Sequence, residues 1–131
     1  MLDDACAVAV RFAQAELVER ELAVDLTISS REAEGETFLH AYFMFPTRPL
    51  HSAGFGAKLR GIDRRAELMG WRRAWAQHLN AALEQAGSSS RVDHRSNEAR
   101  GIPLEPKPHV GLGATNMARR GMKVDRVRRA E

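Results

Sequence analysis

The sequence holds 131 residues and 14.6 kDa, with 44% hydrophobic and 28% charged residues, which is the size of one small domain. No run approaches the ~18 consecutive apolar residues of a membrane span, and the Met-Leu-Asp-Asp start lacks the basic opening of a secretion signal. A single cysteine, Cys6, excludes an internal disulfide and a cysteine-based zinc site, so a cytoplasmic protein with no membrane partner is expected.

The net charge of +3 conceals a gradient. Residues 1–36 set three arginines against nine acids, whereas residues 91–131 set ten basic residues against five acids. Seventeen of the twenty basic residues are arginine, the side chain that clamps phosphate bidentately. An acidic first third and an arginine-rich remainder are compatible with a nucleic-acid footprint or with a merely solvated basic surface.

In chain order, residues 2–21 predict a helix. Asp3 and Asp4 suit its N-terminal dipole, and Cys6, Val10, Ala13 and Leu17 recur at helical spacing. The period then drops to two, with Leu22, Val24, Leu26 and Ile28 alternating with Ala23, Asp25, Thr27 and Ser29 in a strand. Ser30 to Glu36 reads as a turn, and Thr37 to Phe45 as a second strand stopped by Pro46 and Pro49. A β-hairpin is the natural pairing.

Residues 50–62, with three glycines, predict an irregular loop. Asp63 is placed to cap a long helix reaching Ala86, with Gly87 as its terminator. Its apolar face is Leu68, Trp71, Trp75, Leu79, Leu83 and Ala86. Beyond Ser88 to Ser90, Pro103, Pro106 and Pro108 forbid a long helix before residue 109. Residues 110–131 hold three glycines and six Arg or Lys with few large apolar groups. The expected fold class is therefore α+β: an antiparallel hairpin packed with two main helices, then an irregular basic tail. The expected division is residues 1–90 as an α+β domain and residues 91–131 as a basic segment rich in Arg, Pro and Gly.

Several residues are candidates for chemistry. Gly54-Phe55-Gly56-Ala57-Lys58 lacks the spacing of a phosphate-wrapping loop and reads better as a tight turn. Trp71 and Trp75, one helical turn apart, suit core packing better than base stacking. Period 2 puts Phe38, His40, Tyr42 and Met44 on one strand face, where Ser29 approaches them across the hairpin. His40 alone reads as a hydrogen-bonded, partly buried histidine. In Arg91-Val92-Asp93-His94-Arg95-Ser96, Asp93 either orients the His94 imidazole or caps a turn with Ser96. Arg91, Arg95 and Arg100 are candidates for phosphate contacts, and Arg119, Arg120 and Lys123 join that set.

An ordered combination of these pieces resembles the MobA/MobL family of bacterial plasmid mobilisation relaxases. It comprises Gly54-Phe55-Gly56-Ala57-Lys58, Trp71-Arg72-Arg73-Ala74-Trp75, Asn80, Leu83, Arg91-Val92-Asp93-His94-Arg95-Ser96, Gly101-Ile102, Glu105-Pro106, His109-Val110-Gly111 and Arg120-Gly121. The resemblance implies an antiparallel sheet flanked by helices. It also implies a DNA strand-nicking transesterase in which an N-terminal tyrosine attacks the phosphodiester. Three histidines would hold a divalent metal, Mg²⁺ or Mn²⁺. On this sequence the three ligand positions fall on Ser29, His40 and Tyr42, and only His40 retains the ligand type. Tyr42 is the one tyrosine of the chain, so the family's nucleophile is not matched and no resident cofactor is expected. The expectation is a relaxase-like segment cut after the nucleophile, inactive alone, with weak affinity for the DNA backbone. The alternatives are half of a split relaxase completed by a missing N-terminal half, or an interaction protein docking on an intact relaxase.

Overall fold

The computed structural model describes residues 2–33, 35–105 and 109–128. The chain divides into two compact units, Met1–His94 and Arg95–Glu131.

The first unit opens with helix α1, Leu2–Glu16, acidic in its first turn as its dipole favours. The helix stops five residues short of the expected end. A 3₁₀ turn, Val18–Arg20, follows, and Glu21 takes a left-handed conformation with φ of 60°. The reason lies in Leu17 and Leu22, only 1% and 2% exposed. On a continued helix these two would stand about 140° apart, and the early turn lets both enter one core. The buried face of α1 matches the expected one at Ala13, with Leu17 just beyond the helix, and departs from it elsewhere. Val8, Ala9, Phe12 and Ala13 are buried, whereas Val10 is 44% exposed.

Strands β1, Asp25–Ala33, and β2, Glu36–Met44, form a two-stranded antiparallel sheet. Pairing runs from Asp25 opposite Met44 to Ala33 opposite Glu36. The strand therefore starts three residues later than expected and continues through Ser30, Arg31 and Glu32, which polarity had assigned to a turn. These residues are exposed, and a backbone ladder tolerates polar side chains wherever the face is wet. The tip is tight, with Gly35 at φ of 80°.

Residues 50–62 are more regular than expected. Strands β3, Leu50–His51, and β4, Gly54–Phe55, make a minimal second hairpin. Its edge is tied to the 3₁₀ turn, because the Leu50 amide donates to the Glu21 carbonyl at 2.8 Å. Gly56 lets the hairpin close tightly: a Cβ would lie 2.8 Å from His51 Nε2 and 3.1 Å from the Pro49 ring, so the His51 side chain would have to shift.

Helix α2 spans Arg65–Gln85. Arg64, not Asp63, occupies its N-cap, and no side chain caps it. A tight turn, in which the Arg64 amide donates to the Gly61 carbonyl at 3.0 Å, delivers Ile62 into the core and starts the helix one residue later. At the far end Gly87 acts as expected. It has φ of 70°, its amide donates to Glu84 and that of Ser88 to Leu83, which is a Schellman closure.

Helix α1 packs on both strands and on α2. Phe12 is the hub, its ring 5.2 Å from Phe43 and 5.3 Å from Trp75, while Phe45 meets Trp71 at 5.5 Å. Each such edge or tilted contact adds about 1 kcal/mol beyond burial. Both tryptophans are thus packing residues, although Leu68 and Ala86 of the expected apolar face are exposed. Arg20 holds α2 from outside through two hydrogen bonds to the Glu67 carboxylate, at 3.0 and 3.3 Å.

The second unit holds a 3₁₀ turn, Glu98–Arg100, then α3, Gly111–Arg119, and α4, Asp125–Arg128. The tail expected to be irregular is therefore partly helical. Pro103 does keep helix out of residues 101–105, while Pro106 and Pro108 lie outside the described residues. None of the described residues of this unit is buried.

Candidate metal and nucleic-acid site

The β1–β2 ladder decides which residues meet. Ser29 stands directly opposite His40, and Thr27 opposite Tyr42. Two residues along one strand return to the same face, so His40 and Tyr42 are neighbours, their rings stacked at 6.3 Å and 27°. Leu39, Ala41, Phe43 and Phe45 are half-buried on the opposite face. The alternation expected from sequence is present, and the three implied ligand positions form one patch.

That patch is exposed. Ser29 and His40 are exposed and Tyr42 is 59% exposed, so His40 is not the partly buried, hydrogen-bonded histidine that a lone strand histidine suggested. The strand runs on with Phe38 at 46% and Met44 at 71% exposure, a row of apolar groups presented to water. As a metal site the donor set fits poorly. One imidazole is joined by a hydroxyl and by a phenol, neither of them among the usual ligand types of such a site. Among the described residues no group of three His, Cys, Asp or Glu could hold a metal ion.

Asp93 and His94 lie at the end of the first unit. Asp93 Oδ1 is 3.9 Å from His94 Nδ1, beyond hydrogen-bond range. The segment that carries them is clasped to α2 by Asn80. Its amide nitrogen donates to the Val92 carbonyl at 2.9 Å, and its oxygen accepts from the Val92 amide at 2.7 Å. Sequence reading gave Asn80 no role. A mid-helix asparagine, poor in helix propensity and flanked by Leu79 and Leu83, was the available signal. Asp93 and His94 border a cavity of about 630 Å³ with Arg72, Trp71 and Trp75.

Ser96 does serve a turn: its Oγ accepts from the Ala99 amide at 3.2 Å, ahead of the 3₁₀ turn. The candidate phosphate contacts fall on both units. Arg91, in the first, turns its guanidinium back onto the carbonyls of Ser88 and Ser90 at 2.6 and 2.8 Å. Arg95, Arg100, Arg119, Arg120 and Lys123, in the second, are all exposed. Arg119 closes α3, where a cation suits the dipole, so folding alone explains its placement.

A family model described as the MobA/MobL family matches residues 2–120. The chain belongs to the MobA/MobL family. It is 42% identical over 73 residues to mobilization protein A of Escherichia coli, an alignment covering 56% of this chain and 10% of that protein. Mobilization protein MobL of Acidithiobacillus ferridurans is 48% identical over 46 residues, or 35% of this chain and 12% of its own. Conjugal transfer protein TraA of Agrobacterium fabrum is 32% identical over 102 residues, or 62% of this chain and 9% of its own. The chain thus spans about a tenth of the length of these curated relatives. No solved structure matches it. The MobA/MobL match takes in the hairpin, α2, the Asp93–His94 segment and α3 alike. No described helix is long and apolar enough to cross a membrane.

Proposed function

We propose that these residues are a non-nicking part of a plasmid mobilisation protein, acting in the bacterial cytoplasm and holding DNA through its phosphate backbone. The observation that supports this is the Ser29–His40–Tyr42 patch, where the pattern of DNA-nicking MobA/MobL relaxases calls for three imidazoles and one is present. With no tyrosine besides Tyr42, which is stacked on His40, these residues offer no separate nucleophile. DNA affinity then rests on exposed cations, Arg95, Arg100, Arg119, Arg120 and Lys123 first.

The test is incubation of the chain with supercoiled plasmid carrying a transfer origin and Mg²⁺ or Mn²⁺, followed by denaturing gels. No covalent adduct is expected; an adduct mapped to Tyr42 overturns the reading. Binding to single-stranded DNA should weaken with salt by a slope of about −0.7 per phosphate contacted. Replacing Arg119, Arg120 and Lys123 with alanine should flatten that slope. An unchanged slope would put the contacts elsewhere.

A second reading, half of a split relaxase whose nucleophile comes from another polypeptide, is favoured by one feature. The two-stranded sheet ends at β2, whose far edge pairs with nothing among the described residues. Transfer-origin DNA nicked only when a tyrosine-bearing partner is added would establish it.

A further inference from the structure

The outer face of the hairpin carries a row of rings. Phe38, His40 and Tyr42 alternate along β2 and are all exposed, Phe38 at 46% and Tyr42 at 59%. Residues two apart on a strand lie about 6.8 Å apart, twice the ~3.4 Å step between stacked bases. His40 and Tyr42 come close to this spacing, their planes 27° from parallel and their centroids 6.3 Å apart. Across the ladder Arg31 stands opposite Phe38, while Ser29 and Thr27 stand opposite the other two rings. Acids enter this face only at its ends, Asp25 opposite Met44 and Glu36 two residues before Phe38.

From this arrangement we infer that the outer face binds single-stranded DNA by its bases, about one base lying on each ring of Phe38, His40 and Tyr42. The inference rests on the DNA-binding reading above and adds to it. It assigns base faces rather than phosphates, and it assigns them to the hairpin rather than to the cations beyond residue 94. Three observations select that occupant. First, the exposed row is aromatic, and every base presents a π-face to such a ring whatever the DNA sequence. Second, the middle of the face holds no acid and has Arg31 beside Phe38, so a polyanion is not repelled there. Asp25 and Glu36 limit the site to a few nucleotides. Third, the area is small. Phe38, Tyr42 and Met44 together expose roughly 350 Å², under half the ~800 Å² that each partner of a standard protein interface buries. A duplex does not suit the face, because its base faces are covered by neighbouring bases.

The test is fluorescence anisotropy of the full chain with two labelled strands of about twelve nucleotides, oligothymidine and an abasic strand of equal length. The two carry the same phosphates and differ only in their bases. The chain should bind oligothymidine about thirtyfold tighter than the abasic strand. Phe38→Thr with Tyr42→Thr should cut that preference to about threefold and leave the salt slope as it was. Tyr42→Phe, which keeps the ring, should keep the preference. Equal affinity for the two strands overturns this inference and leaves the phosphate reading standing, whereas binding of neither overturns both. A preference that survives the double substitution also overturns it, because the bases then lie elsewhere. So does a chain that sediments as a dimer and becomes monomeric in the double variant, since a second copy then covers the face.

Discussion

Both faces of the β1–β2 hairpin carry large apolar side chains, and the fold treats them differently. On the inner face Phe43 touches both Phe12 and Trp75. On the outer face Phe38, Tyr42 and Met44 stand in water. A free choice of residues for stability alone would place threonine and lysine there. The inner face makes the fold, and on the function proposed above the outer face keeps three ligand positions, Ser29, His40 and Tyr42, with an imidazole at His40 alone.

That contrast can be broken by substitution. The largest effect belongs to the inner side: Phe12→Ala removes the hub of three aromatic contacts and should cost about 4 kcal/mol in urea denaturation. A loss under about 1 kcal/mol would mean that the helices do not depend on that cluster. Next comes a gain on the outer face. Ser29→His with Tyr42→His places three imidazoles on one patch, and calorimetry should find Mn²⁺ or Zn²⁺ bound about a hundredfold tighter than by the unaltered chain, roughly 2.7 kcal/mol. Either single change should give less than half of that gain, and His40→Ala should abolish it. The smallest effect is Tyr42→Thr, which should leave stability within about 0.5 kcal/mol. A larger loss would show that the exposed ring stack holds the sheet together.

How far the sequence revealed this depended on how distinctive each pattern was. Period 2 in residues 37–45 sends alternate residues to opposite faces, so the face shared by His40 and Tyr42 was legible. Helix α1 is rich in alanine and small apolar residues on all sides, so its periodicity named Val10 where the fold buries Phe12. Asp63 looked like a cap, but the turn that buries Ile62 moved the start past it. The Asn80–Val92 clasp spans twelve positions and depends on where α2 leaves the chain, which no local pattern encodes. Three glycines hid a hairpin of four paired residues between Leu50 and Phe55 because so short a ladder has no period to detect.

The chain has two tryptophans, and both sit on the same side of α2. The protein therefore carries its own optical gauge of the cavity they border. Indole emission responds to the polarity around the ring, and both emitters border the same cavity. Any strand, peptide or small molecule that displaces water there shifts the whole fluorescence of the chain toward the blue, with no label attached.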